Sequence, residues 1–263
     1  MSRAARIDPD PDGERRRAAR ARLGLEDAPP VRRPRRRRPL RALRALLLGV
    51  FAAALLSLLP VVLLRYVDPP LTALMLGEWL DATRTGDSGF SLDRQWRPLK
   101  AMSPLAAAAV IAAEDQKFRA HHGFDFEAIS AVLAARDAGA PLRGASTITQ
   151  QVAKNLFLWR GRHWVRKGLE AWFTIWLEVL WSKDRILEIY LNVAQFGRGV
   201  YGVEAASRRY FGHGANALDA PEAALLAGAL PNPVHYRVDA PNRGLRRRQD
   251  WILRQMRQLG LPR

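Results

Sequence analysis

One uncharged run dominates the hydrophobic pattern of this chain: ALLLGVFAAALLSLLPVVLL, the 20 residues from Ala45 to Leu64. At a rise of about 1.5 Å per residue, such a helix is long enough for the ~30 Å hydrocarbon core of a bilayer, and Pro60 is tolerable within it. Beyond it, apolar residues recur at helical spacing. SPLAAAAVIAAED begins with Ser103 as N-cap and Pro104 at the first helical position. STITQQVAKNLFL begins with Ser146 as N-cap, and HWVRKGLEAWFTIWLEVLW carries an apolar stripe through Val165, Leu169, Trp172, Trp176 and Leu180. KDRILEIYLNVAQF, VEAASRRYF and PEAALLAGAL follow, the last stopped by Pro231 and Pro233, and GLRRRQDWILRQMRQLG predicts an amphipathic helix packed on the domain. No alternating run predicts a strand, so the expected fold is mainly α.

Polar composition sets the boundaries. Residues 1–44, rich in Arg, Pro and Asp, are expected to be a disordered basic tail. Residues 45–65 form the anchor, 66–95 a linker or membrane-proximal segment, and 96–263 the functional domain. RRPRRRRPLRALR precedes the apolar run and Arg65 alone flanks its far end, which places the N-terminus in the cytoplasm and the bulk of the chain outside. A cleaved signal peptide would have a shorter apolar region of about 7–15 residues ending in a small-x-small site, and none follows Leu64.

The formal charge is +17, with 15 Arg against 6 acids up to Arg44 and 27 basic against 19 acidic residues after it. A domain that is basic in its own right suits an anionic partner: nucleic acid, lipid headgroups or a diphosphate. Cysteine is absent, which excludes a disulfide framework and any Cys-based metal site.

Two adjacent acids, Glu114 and Asp115, end the apolar run LAAAAVIAA. A helix C-terminus, apolar surroundings and a neighbouring carboxylate all raise a carboxyl pKa towards the range of a general acid or base; a helix-ending pair turned into water is the plainer alternative. His121 and His122 read as loop or packing residues, with His121 available to hold Glu114 or Asp115. In RGASTITQQVAKN, Gly144 lets the backbone approach closely and the helix N-terminus can bind an anion. Thr147, Gln150, Gln151 and Lys154 form a polar stripe suited to a sugar-lined groove or to solvated surface. Arg166, Lys167 and Glu170 share a helix face; taken with Lys154 they offer cations for a leaving diphosphate.

The motifs EDQKFRAHHGFD, GASTITQQVAKN, RKGLE and KDRILEIYLNVAQFGRGVYGVEAASRRYFG occur in the order found in the family-51 peptidoglycan glycosyltransferases, and residues 96 to 235 resemble that family in its monofunctional biosynthetic form. The resemblance implies a lysozyme-like, two-lobed α-helical domain on a single transmembrane helix, in the bacterial inner membrane with the domain periplasmic. It implies polymerisation of lipid II by inverting glycosyl transfer, forming a β-1,4 MurNAc–GlcNAc bond and releasing undecaprenyl diphosphate. Glu114 falls on the family's general base, Asp115 on its second acid and Phe118 on its aromatic position, the latter two counted with the substrate-binding residues. Ser146, Thr147, Gln150, Gln151, Lys154 and Asn155 would line the donor and acceptor groove. Arg166, Lys167 and Glu170 would handle the diphosphate, with Glu170 counted as catalytic and aided by a divalent cation such as Mg²⁺; no cofactor is obligatory. Glu188 and Asn192 would support the cleft. Ala145 and His163 depart from the common pattern without putting a role in doubt. The implied partners are lipid II, the growing glycan chain, membrane lipids and cell-division or elongation proteins, and not nucleic acid. The competing readings are a lysozyme-like glycan-cleaving enzyme and a basic membrane-tethered scaffold.

Overall fold

A computed structural model of the chain describes residues 10–24, 37–137, 146–161 and 163–262. The disorder expected of 1–9 and 25–36, and the roles given to Gly144 and Ala145, lie outside them. The described part of the tail differs from expectation: α1 (Pro11–Arg22) is helical while burying nothing. Asp10 caps it by accepting from the Gly13 N–H at 3.1 Å, and Asp12 and Glu14 at its start with Arg20 and Arg22 at its end complement the helix dipole. These are local signals, invisible to a search for an apolar stripe.

Helix α2 (Arg37–Leu64) contains the apolar stretch, and Arg41–Leu64 is long and apolar enough to cross a membrane. Its last turns belong to the compact unit Ala54–Arg263. Val61 is fully buried there; Trp181 Nε1 donates to the Val61 carbonyl at 2.8 Å, Trp172 Nε1 to Ser57 Oγ at 3.1 Å, and Arg185 Nη2 to the Leu64 carbonyl at 3.0 Å. The residues expected to be a linker contain α3 (Ala73–Arg84), capped by Thr72, with Met75 and Glu78 buried, and β1 (Asp93–Arg94).

The domain continues with α4 (Pro104–Glu114), α5 (Phe126–Asp137), α6 (Ile148–Phe157), α7 (Trp164–Leu180) and α8 (Lys183–Val193). A hairpin of β2 (Gln195–Gly197) and β3 (Val200–Tyr201) follows, then α9 (Val203–Phe211), α10 (Ala220–Ala229) and α11 (Arg243–Gln258). β3 pairs antiparallel with β2 and parallel with β1. The expected continuous helix through Phe196 therefore stops at Val193, and the backbone turns where glycine is required. Gly202 has φ +85°, and a Cβ there would lie 2.8 Å from the Asn192 carbonyl oxygen.

Helix α8 is buried along most of its length through Ile186, Leu187, Ile189, Tyr190, Leu191 and Val193. Around it, α6 packs on α7 and α8, while α4 packs on α10 and α11. α4 and α10 are rich in alanine where they bury, Ala106, Ala108, Ala109 and Ala112 on one and Ala223, Ala224, Ala227 and Ala229 on the other. These small side chains let the two backbones approach closely, and each buried methyl still contributes on the order of 0.8 kcal/mol. Ser103 caps α4 as expected, accepting from the Leu105 N–H at 3.3 Å. The apolar stripe of α7 is only half-buried at Trp172, Trp176 and Leu180 and exposed at Val165 and Leu169; the face that enters the core holds Glu170, Phe173, Thr174 and Leu177. Part of the apolar stripe instead meets the end of α2.

Candidate active site

Helix α4 ends at Glu114 because Asp115 leaves helical geometry, with φ −159° and ψ 78°. Asp115 is buried, its Oδ2 accepting from the Ile148 N–H at 3.0 Å and its Oδ1 facing His121 Nε2 at 2.8 Å. His121 Nδ1 accepts from the Gly123 N–H at 3.2 Å, so Nε2 carries the proton that reaches Asp115. Burial pushes the Asp115 carboxyl up, against the pull of His121 and the Ile148 N–H. Asp115 therefore ties the end of α4 to the positive end of α6 and is not among the residues lining the two cavities described below. Phe118 is fully buried, with Lys183 Nζ 4.6 Å from its ring centre. Both residues set the path of the chain beyond Glu114.

Glu114 itself opens into a cavity of about 610 Å³ that it lines with Ala113, Ser146, Gln151, Pro231, Tyr236, Arg248 and Trp251. Its Oε2 accepts from Gln151 Nε2 at 2.9 Å and its Oε1 from Arg248 Nη2 at 3.0 Å. The Gln151 amide is oriented from behind, its Oε1 accepting from the Tyr190 hydroxyl at 3.0 Å. Burial raises the Glu114 pKa, and the Gln151 hydrogen bond and the Arg248 charge oppose that rise.

A second cavity, about 430 Å³, shares Gln151 and Pro231 as walls and is also lined by Lys154, Asn155, Arg166, Trp159 and Arg160. The groove thus runs from a carboxylate at one end to cations at the other. Lys154 has its pKa lowered by burial, with Glu170 opposing. Arg166 Nη1 donates to Glu170 Oε2 at 3.2 Å, and Lys167 Nζ pairs with Oε1 of the same buried carboxylate. Glu170 holds Arg166 in place at the second cavity while Lys167 points largely to solvent. The far wall rests on α3: Glu78 accepts from the Tyr201 hydroxyl and from Gln195 Nε2 at 3.0 Å, with Arg160 3.6 Å away.

Of the residues expected in the groove, Glu114, Ser146, Gln151, Lys154, Asn155 and Arg166 are gathered there. Thr147 and Gln150 are not. Thr147, rather than Ser146, is the N-cap of α6, and the pair forms a reciprocal capping box that buries both side chains. Glu188 and Asn192 buttress the domain, Glu188 Oε2 accepting from the Leu99 N–H at 2.7 Å and Asn192 Oδ1 from the Arg97 N–H at 2.8 Å. Arg248, Trp251 and Tyr236 were not anticipated. A usable signal existed in α11, whose buried residues Leu245, Gln249, Ile252 and Met256 fix the inward face. Arg248 adjoins that face, while Arg246 and Arg247 point outward.

Comparison with known proteins accords with this geometry. The transglycosylase family matches residues 82–257. The chain is 52% identical over 217 residues, 82% of its length and 89% of the relative, to the biosynthetic peptidoglycan transglycosylase of Xylella fastidiosa strain M23. It is 50% identical over 239 residues, 91% of its length and 96% of the relative, to that of Xanthomonas campestris pv. campestris strain B100.

Proposed function

The chain belongs to the transglycosylase family of peptidoglycan-polymerising enzymes, and from that premise we propose that it extends glycan strands from lipid II with Glu114 as general base. The observation that carries the assignment of roles is the polarity of the groove: one carboxylate held as a hydrogen-bond acceptor by Gln151 and Arg248, with Lys154 and Arg166 beyond Gln151.

In this reading Glu114 takes the proton of the acceptor GlcNAc 4-hydroxyl as that oxygen attacks the anomeric carbon of the donor MurNAc. The new β-1,4 bond forms as the carbon–oxygen bond to the diphosphate breaks, and the electron pair leaves with undecaprenyl diphosphate. Lys154 and Arg166 neutralise the charge that grows on that leaving group. Ser146, Gln151 and Asn155 offer hydrogen bonds to the sugars, and Trp251 and Tyr236 offer apolar surface. Glu170 holds the cations rather than touching the reacting atoms. It is a poor seat for a divalent ion, because both its oxygens already face cations and no cluster of three metal-ligating side chains occurs among the described residues.

The setting suits a substrate that stays in a bilayer. Trp79, Trp159, Trp164, Val165 and Val179 are exposed on the domain, Trp164 at 86%, and Trp159 lines the second cavity. Aromatic side chains of this kind favour a membrane interface. With the basic run before Ala45 on the cytoplasmic side, the domain lies outside, where lipid II presents its sugars.

The test is the product. Purified full-length protein given lipid II in detergent should form polymer and release undecaprenyl diphosphate, and should leave preformed glycan intact. Cleavage of preformed glycan without polymer would move the protein to the lytic class, in which the glutamate must start protonated.

A further inference from the structure

We propose that Arg248 is a positioning residue that holds Glu114 as an ionised acceptor, so that the C-terminal helix α11 is part of the catalytic apparatus. The inference rests on the reading of Glu114 as the base. Three observations carry it. Arg248 Nη2 and Gln151 Nε2 take one carboxylate oxygen each, which fixes the plane of the carboxyl and leaves the second lone pair of either oxygen for a hydroxyl proton. The backbone under Arg248 is immobilised: Leu245, Ile252 and Met256 are buried, Gln249 Nε2 donates to the Pro221 carbonyl at 2.7 Å, and Gln255 Oε1 accepts from Gln116 Nε2 at 3.0 Å. Finally, Arg248 Nε is buried without a hydrogen-bond partner among the described residues, and Glu114 is the group to which its Nη2 donates.

The other groups around Glu114 do not replace it. Asp115, next in sequence, is committed to His121 and the Ile148 N–H. On α6, Lys154 shares its field with Glu170, Arg166 and Lys167, and its ammonium is itself disfavoured by burial. On α8, Tyr190 is held neutral by burial, and the one acid of α10, Glu222, faces His213 at 3.1 Å. Arg248 is the cation that donates directly to the Glu114 carboxylate.

The direction of the effect follows. A general base works above its pKa, and activity is lost as pH falls through it. Burial raises that pKa and Arg248 opposes the rise, so removing the guanidinium makes the base form require a higher pH. The experiment is the pH dependence of kcat/KM for lipid II polymerisation by the full chain, wild type against Arg248→Met and Arg248→Lys. The acid limb should move up by about one pH unit or more in the Met variant, in line with the loss of an opposite charge at this range. The Lys variant should lie between it and wild type. A limb that stays in place, with the rate lowered equally at every pH, would mean that Arg248 only docks the helix and would overturn the proposal. Because the Met variant could be too slow to profile, the Glu114 carboxyl is also titrated by ¹³C NMR, its signal assigned by loss in Glu114→Gln. An upward move in the Met variant supports the inference, and an unmoved titration overturns it. Undiminished polymerisation by Glu114→Gln would instead refute the base assignment itself, whatever the Arg248 variants do.

Discussion

Glu114→Gln is expected to lower kcat for lipid II polymerisation by about 10²–10⁴-fold, the range that a positioned general base supplies, while leaving KM within a few-fold. The amide keeps the shape of the side chain, but its single oxygen can accept from only one of the two donors, Arg248 Nη2 or Gln151 Nε2, and it cannot accept a proton from an attacking hydroxyl. The substitution also leaves Arg248, whose side chain is 29% exposed, without its carboxylate. That loss is softened by solvent and should not unfold a domain whose α4 is fixed by Ala109, Val110 and Ala112 in the core. Initial rates on lipid II, with helical content followed by circular dichroism, separate the two effects. A residual rate within tenfold of wild type would remove Glu114 from the chemistry.

Lys154→Met is the second large effect, an expected loss of about 10²–10³-fold, comparable to removing one preorganised group from a site of developing charge. Lys154 lies along the groove from Glu114, and the negative charge that appears during reaction is on the departing diphosphate. Methionine keeps most of the side-chain length and apolar stem, so the shape of the wall that Lys154 shares with Asn155 and Leu158 is largely retained. The comparison that gives the number meaning is Lys167→Met. Lys167 faces Glu170 with 53% of its side chain exposed and does not line the cavity, so its removal should cost less than about tenfold by the weakness of exposed pairs. Equal losses at the two positions would point to a general electrostatic effect rather than contact with the leaving group.

The helices of the domain were legible wherever a strong local signal coincided with burial: Ser103 before Pro104, the Thr147–Gln150 region, the long apolar α7 and the run stopped by Pro231. The misreadings have physical causes. Ser146 and Thr147 are both good caps, and only the reciprocal bond with Gln150 selects the second. α3 is short and carries no continuous apolar face, and its helix is held by Met75 in the core and Glu78 against Tyr201, contacts made with residues more than a hundred positions away. The hairpin after α8 is too short to show alternation. In the site, motif order points to Glu114, Lys154 and Arg166, and the fold brings all three to the two cavities. Thr147, Gln150, Asp115 and Phe118 belong to the motifs yet are buried, because motif membership does not distinguish a residue at the cavity surface from one that builds the wall behind it. Arg248 was missed for the opposite reason: three consecutive arginines look alike in sequence, and helical phase alone turns one of them towards Glu114.

The most direct measurement is the pH dependence of kcat/KM for wild-type polymerisation of lipid II. A glutamate that begins each turnover as a base predicts activity that is lost on the acid side, as pH falls through a carboxyl pKa raised by burial, and that levels off above it. Activity that instead falls as pH rises through that same range would mean the protonated carboxyl is the working form, and would contradict Glu114 as the general base.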